Sequence, residues 1–103
     1  MSSTAILVSG RAKEEQRDAI YALYHEHVVP HVSTHEDVRT VVWSHDQEDA
    51  NVWHLFEVFR EGTDHRLILA SPWFHAYIEH AAPLAVEPAT VRVLTTRWLK
   101  GVE

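Results

Sequence analysis

Histidine is the residue whose spacing most suggests chemistry in this chain, which contains nine of them. His27 and His31 lie four residues apart in a run with helical periodicity, so their rings would project from one helix face, one turn apart. His54 lies inside an apolar run, between Trp53 and Leu55. Because an imidazole that faces an apolar cavity can act as a general base or a hydrogen-bond donor, these three histidines are the predicted catalytic residues.

Each of these histidines also has a purely structural interpretation. His27 and His31 could lie at the end of the helix, with their ring nitrogens bonded to solvent or to a carbonyl. His54 could be a core or dimer-interface residue bonded to a neighbour, because a buried ring that lacks a partner bears a desolvation cost on charging. The sequence leaves both interpretations open.

The histidines do not predict a metal site. A pair with this spacing binds zinc or copper when a third ligand converges on it. Pro30 interrupts the helix between His27 and His31, and the chain contains no HExxH-like motif and no cysteine. We therefore expect no metal and no other cofactor, since only three glycines are present to build a nucleotide-binding loop.

Aromatic side chains and one arginine could bind a substrate. Flat rings stack on aromatic ligands, although aromatic residues in strands and at helical spacing more often form the core. Arg92 lies in a strand-like run, where its guanidinium could hold a phenolate oxygen or could pair with Glu57 instead. The predicted substrate-binding residues are Trp43, Trp53, Trp73, Tyr77 and Arg92.

The elements that position these residues follow from hydrophobic periodicity and turn signals. Apolar, β-branched and aromatic residues are concentrated in four runs, which predict strands at residues 4–10, 37–45, 52–59 and 89–99. Residues 13–32 have the periodicity of a helix. Thr63 or Asp64 can cap a short helix, and Ser71 followed by Pro72 can begin another. The order β-α-β-β-α-α-β is typical of a ferredoxin-like split β-α-β fold with an antiparallel four-stranded sheet.

Apolar residues occupy both faces of the predicted strands, although helices can cover only one face of such a sheet. Trp43, Trp53 and Trp98 lie among valine, leucine and phenylalanine in these runs. The second apolar face needs a cover, and the simplest cover is another copy of the chain. The sequence therefore predicts an α+β protein that forms a homodimer.

Length and composition narrow the class of protein. With 103 residues the chain can bury one core, so residues 1–103 are expected to form a single domain. The formal charge of −6 and the absence of a basic run argue against a nucleic-acid partner. No apolar run is long enough to cross a membrane and no signal peptide is evident, so a cytoplasmic protein is expected.

The motif F-E-V-F-x-E-x-x-D, followed by L-A-S-P-W-F, resembles the antibiotic biosynthesis monooxygenase domain family. The resemblance implies a ferredoxin-like domain whose two copies close their sheets into a dimeric α/β barrel. It implies a ligand cavity between the helices and the sheet of each protomer. It also implies that a small aromatic or quinol-type molecule reacts with O2 without a cofactor.

Several positions depart from the patterns of well-known branches of this family. Haem-degrading relatives use a Trp in the short helix and a His in the next helix, and these positions correspond to Ile68 and Ile78 here. Many quinol- and anthrone-oxidising relatives place a polar residue and a Trp on the third strand. This chain has Leu55 and Phe59 there, or Trp53 and His54 if the alignment shifts by a short slip. The expected function is therefore a monooxygenase-like activity outside the haem-degrading branch. The alternative is a non-catalytic dimer that binds a small ligand or acts in a stress response.

Overall fold

The computed structural model describes residues 3–100, which form four strands, four α-helices and a short 3-10 helix. In chain order the elements are β1 (Ser3–Arg11), α1 (Arg17–His27), α2 (Val29–Val32), β2 (Val38–His45), β3 (Val52–Phe59), α3 (His65–Leu69), α4 (Pro72–Ala81), the 3-10 helix (Ala82–Leu84) and β4 (Thr90–Thr96). The strands form one sheet in the order β2-β3-β1-β4, and all three pairings are antiparallel. The predicted α+β, ferredoxin-like arrangement is confirmed.

The first helix is shorter than its periodicity predicts, so the prediction of one helix at residues 13–32 is wrong in extent. Glu15 has a φ of 65°, a left-handed conformation that a right-handed helix cannot contain, and α1 begins only at Arg17. At the other end Val28 separates α1 from α2. Pro30 lies in the first turn of α2, where its missing N–H costs least.

Capping of the later helices agrees with the sequence at one site and differs at another. The Asp64 carboxylate accepts the backbone N–H of Arg66 at 3.0 Å and so caps α3, as predicted. Ser71 does precede α4, but its hydroxyl makes no capping bond and lies 3.5 Å from the Leu67 carbonyl oxygen, to which it donates. The start of α4 is defined by Pro72 rather than by a side-chain cap.

The last strand is also shorter than predicted, because β4 ends at Thr96 rather than at residue 99. Trp98 lies beyond the strand and is 78% exposed. The expectation that Trp98 belongs to the sheet is therefore wrong. By contrast, the bounds of β3 agree with the prediction at both ends.

Alternation along the strands sorts the side chains onto two faces of the sheet. On β3 the residues that point towards α1 and α4 are Trp53, Leu55, Glu57 and Phe59. We call this the helix-covered face. The opposite face of the sheet carries side chains that include those of Leu7, Val42, His54, Phe56 and Leu94. We call it the open face.

Apolar side chains are exposed on both sides of the sheet. Val42 and Leu94 are 45% and 37% exposed on the open face. On the edge strand β4, Val91 and Val93 point to the helix-covered side but remain more than half exposed, so the helices do not reach across this strand. The apolar character of both faces is confirmed. Within residues 3–100, no helix combines the length and apolarity needed to cross a membrane.

Candidate functional site

Four aromatic rings pack together between α1, α4 and the helix-covered face. Trp43 of β2 stacks on Trp53 of β3, with ring centroids 4.6 Å apart and planes within 10° of parallel. Tyr24 of α1 lies 4.9 Å from Trp43 and meets Tyr77 of α4 edge-on at 5.4 Å. We call these four residues the inner aromatic cluster. The fold therefore brings together three of the five predicted substrate-binding residues.

Gly10 determines where the Trp53 ring can lie. The two residues are opposite each other in the pairing of β1 with β3. A Cβ at position 10 would lie 2.5 Å from Cε2 and 2.8 Å from Nε1 of Trp53, well inside van der Waals contact. The indole can therefore lie directly over β1 only because residue 10 has no side chain.

A buried carboxylate adjoins the inner aromatic cluster. Glu57 is 1% exposed, and the Tyr24 hydroxyl donates to its Oε2 at 3.0 Å. Burial raises the pKa of Glu57, although the hydrogen bond from Tyr24 opposes this rise. Burial, together with the neighbouring Glu57 charge, raises the pKa of Tyr24. The tyrosine thus keeps its proton, and a carboxylate with a raised pKa is suited to accepting one.

Three buried ring nitrogens in this region have no hydrogen-bond partner among the described residues. They are Nε1 of Trp43, Nε1 of Trp53 and Nε2 of His45. The His45 ring lies edge-on to Trp43, with centroids 6.4 Å apart. Because an unpartnered buried donor bears its full desolvation cost, a ligand oxygen that accepts from such a group gains binding free energy.

The fold separates the two predicted catalytic histidines of the first helix. His27 stacks on His80 with centroids 5.1 Å apart, whereas His31 stacks on Trp73 at 4.9 Å. The helix break at Val28 lies between them, and each ring packs on a different part of α4. The two rings therefore do not share one space, and Trp73 lies with His31 rather than in the inner aromatic cluster.

His54 and Arg92 lie on the open face, opposite to the inner aromatic cluster. His54 pairs across the sheet with Ser9, and Arg92 pairs with Leu7. Glu57 points to the other side of the sheet, so the alternative in which Arg92 pairs with Glu57 is wrong. One substrate molecule cannot contact both His54 and the Trp43–Trp53 stack, because the sheet lies between them.

Hydrogen bonds hold His54 in a network that the sequence did not reveal. Its Nδ1 lies 2.8 Å from the Ser9 hydroxyl, and its Nε2 lies 3.5 Å from Oδ2 of Asp46. Ser9 is 45 residues from His54 in sequence, and Asp46 lies in the loop between β2 and β3. No local motif therefore marks either residue. Tyr24, the partner of Glu57, lies in the predicted first helix, and no motif marks it as a site residue.

A cleft of about 590 Å³ lies elsewhere, between residues 62–66 and the residues Ser3, Thr4 and Thr95. Its lining contains none of the predicted site residues. Among residues 3–100, no group of three or more His, Cys, Asp or Glu side chains is arranged to hold a metal ion. The inner aromatic cluster with Glu57 is therefore the candidate site that combines ring surface with an ionisable group.

Known structures match this fold along almost its whole length. A protein from Chloroflexus aurantiacus J-10-fl, provisionally named antibiotic biosynthesis monooxygenase, has a TM-score of 0.80 and 20% identity, with 100% of both chains covered. The chain has the fold of an antibiotic biosynthesis monooxygenase domain. Rv0793 from Mycobacterium tuberculosis shares this fold, with a TM-score of 0.78, 18% identity and 98% and 100% of the two chains covered.

A further structure, named antibiotic biosynthesis monooxygenase, has a TM-score of 0.76 and 16% identity over 88% of this chain and 95% of its own. No protein-family profile matches the sequence. No curated protein matches it either. At these identities the likeness establishes the antibiotic biosynthesis monooxygenase fold, and the function has to be argued from the side chains.

Proposed function

We propose that the chain is a cofactor-independent oxygenase that oxidises a small aromatic, quinol-type molecule on the helix-covered face. The observation that supports this most is the buried pair of Glu57 and Tyr24 beside the inner aromatic cluster. A reaction of this type needs a base, a flat apolar surface and the exclusion of water. The buried Glu57 carboxylate, the stacked indoles of Trp43 and Trp53 and the low exposure of this region support these three requirements.

Glu57 is the proposed base. It removes a proton from an activated CH2 or hydroxyl group of the substrate, and the resulting anion transfers electrons directly to O2. One oxygen atom then bonds to the substrate carbon and the other leaves as water, so a CH2 group and O2 become C=O and H2O without an external reductant. The raised pKa of Glu57 brings its basicity closer to that of the substrate, which favours proton transfer.

The other members of the site orient the substrate and the base. The Tyr24 hydroxyl donates to Glu57 and so fixes the carboxylate. Trp43 and Trp53 supply ring surface, and their unpartnered indole N–H groups can donate to a substrate oxygen. The predicted roles of His27, His31 and His54 in catalysis remain predictions, and none of these three rings packs against the inner aromatic cluster.

We propose that a second copy of the chain covers the open face. Val42 and Leu94 are exposed there, and Leu7 and Phe56 lie between them in the sheet. Association of two such faces removes apolar surface from water, which is the main driving force for stable dimers. Sedimentation at micromolar concentration tests this, with twice the chain mass expected.

Oxygen consumption tests the proposed reaction. Wild-type protein is mixed with a panel of anthrones, hydroquinones and naphthols, and 18O2 is used to trace one oxygen atom into the product. Glu57→Gln preserves shape but removes the base, so kcat should fall roughly 100-fold or more. The matched control is Glu79→Gln, which changes an exposed carboxylate on α4 and should leave kcat unchanged. Equal rates in wild type and Glu57→Gln would contradict the proposed role.

The alternative is a binding protein without turnover. The unpartnered indole N–H groups of Trp43 and Trp53 favour it, because they can hold a ligand oxygen without any reaction. A binding protein should gain thermal stability with the same panel of compounds, without consuming oxygen. That outcome would replace the oxygenase by a small-ligand-binding dimer.

A further inference from the structure

A second cluster of reactive side chains lies on the open face, separated by the sheet from Glu57. Ser9 of β1, His54 of β3 and Asp46 of the β2–β3 loop come from three separate segments. The Ser9 hydroxyl lies 2.8 Å from Nδ1 of His54, and Nε2 of His54 lies 3.5 Å from Oδ2 of Asp46. The proposed oxygenase reaction uses none of these groups.

Asp46 is held in the orientation that this network needs. Its Oδ1 accepts the backbone N–H groups of Glu48 at 2.9 Å and Asp49 at 3.0 Å, which leaves Oδ2 for His54. These two hydrogen bonds, with a smaller contribution from His54, lower the pKa of Asp46, so it is a carboxylate at neutral pH. Arg17 donates to three carbonyl oxygens of the same loop, those of Asp46, Asp49 and Val52, each at 3.0 Å.

The carboxylate determines which nitrogen of His54 carries the hydrogen. A carboxylate only accepts hydrogen bonds, so Nε2 of the neutral ring must donate to Asp46. Nδ1 then holds a lone pair, and the Ser9 hydroxyl donates to it. This arrangement provides a nucleophile, a base and an orienting carboxylate, as in a Ser-His-Asp triad. The two ring nitrogens are exchanged relative to the usual triad, in which Nε2 faces the serine.

We propose that Ser9 is a nucleophile activated by His54, that Asp46 positions the histidine, and that the site cleaves small aryl esters of short carboxylic acids. The His54 side chain is 39% exposed, so a substrate can reach it. Ser9 and His54 lie in the end row of the open face, next to the β2–β3 loop, and the adjacent row contains Leu7 and Phe56. Because a phenolate leaves more readily than an alkoxide, aryl esters are the substrates that this small site suits best. A second copy centred on the apolar rows would leave the end row at the rim of the dimer interface.

The proposed steps conserve atoms and involve no redox change. Ser9 Oγ forms a bond to the acyl carbon while its proton moves to Nδ1 of His54. The bond to the aryl oxygen breaks and the phenol leaves with that proton. Water then attacks the acyl-serine, releases the carboxylic acid and restores Ser9.

p-Nitrophenyl acetate is the probe for this site. Wild-type protein should release p-nitrophenol in a stoichiometric burst, and peptide mass spectrometry should locate an acetyl group on Ser9. Ser9→Ala should abolish the burst and lower the rate at least tenfold. Ser44→Ala is the matched control, because Ser44 is exposed in the same row and faces His54 from the other strand, and its rate should be unchanged. A rate that survives in Ser9→Ala, or acetylation only at other residues, would overturn the proposal.

Asp46→Asn tests the positioning role with little disturbance of the loop. Its amide oxygen can still accept the Glu48 and Asp49 N–H groups, whereas its NH2 group cannot accept from His54. We expect a loss of roughly tenfold in the burst rate, together with a change in the His54 tautomer in 15N NMR spectra. An unchanged tautomer and rate would refute the role of Asp46. Glu57→Gln should keep full esterase activity, so failure of the oxygenase proposal and failure of this one are distinguishable.

Discussion

Replacement of Gly10 by alanine should destabilise the fold by a steric mechanism that the structure makes quantitative. The new Cβ would lie 2.5 Å from Cε2 and 2.8 Å from Nε1 of Trp53. Normal carbon contacts begin at about 3.5 Å, so the indole must move by roughly 1 Å. It has little room to do so, because Trp53 is 5% exposed and Trp43 stacks on it at 4.6 Å.

The expected size of the effect combines two opposing contributions. Overpacking of a core costs about 1–3 kcal/mol, and the upper end applies where the ring cannot move away. Replacing glycine by alanine in a strand stabilises the fold by about 0.5–1 kcal/mol, because the backbone loses less conformational entropy on folding. The free energy of unfolding should therefore fall by about 2 kcal/mol, which lowers Tm by roughly 8–16 °C in a domain of this size. Urea denaturation monitored by circular dichroism measures this change in the free energy of unfolding.

Two further variants separate steric conflict from backbone effects. In Gly62→Ala nothing lies within 4 Å of the new Cβ, and only the φ of 86° is unfavourable, so the loss should be about 1 kcal/mol. In a Trp53→Leu background the colliding ring atoms are absent, and Gly10→Ala should become neutral or stabilising. If Gly10→Ala costs the same in both backgrounds, the indole does not lie against Gly10 and the geometry of the inner aromatic cluster is wrong.

Three further predictions concern pH, the β2–β3 loop and association. The pKa of Glu57 in the folded protein lies above its ordinary value of 4.5, so the unfolded chain loses this proton at lower pH than the folded protein does. The free energy of unfolding of the wild type should therefore fall as pH rises above 4.5, and Glu57→Gln should not show this fall. Parallel pH profiles of the two proteins would disprove burial of the charge. Arg17→Met should lower the free energy of unfolding by about 2 kcal/mol and should speed amide hydrogen exchange at residues 46–52. Unchanged exchange would show that the guanidinium does not hold the loop. Leu7→Lys should convert the proposed dimer to a monomer in sedimentation, and a wild type that sediments as a monomer would remove the basis for that proposal.

The fold was predictable because its signals are local. Alternating β-branched and aromatic residues define β3, and the Ser-Pro pair marks the start of α4. The errors of extent have a physical reason. Glu15 adopts a left-handed φ, for which a glutamate gives no signal in the sequence. The helix predicted from periodicity alone was therefore too long.

The candidate site was less predictable because it depends on which face of the sheet each residue occupies. Trp53 and His54 are neighbours in sequence, and strand alternation places them on opposite sides. Glu57 lies inside the strand-like run of β3, but the donor that satisfies its carboxylate, Tyr24, is 33 residues away. The network of Ser9 with His54 spans 45 residues, and only the register of β1 and β3 brings the two together.

The measurement that tests the central claim most directly compares Glu57→Gln with His54→Gln in the oxygen electrode, with the best substrate of the quinol panel. Both side chains belong to β3, and they point to opposite faces of the sheet. If the helix-covered face performs the oxidation, Glu57→Gln stops oxygen consumption and His54→Gln retains the wild-type rate. Loss of oxygen consumption in His54→Gln, with full activity in Glu57→Gln, would place the chemistry on the open face and contradict the assignment.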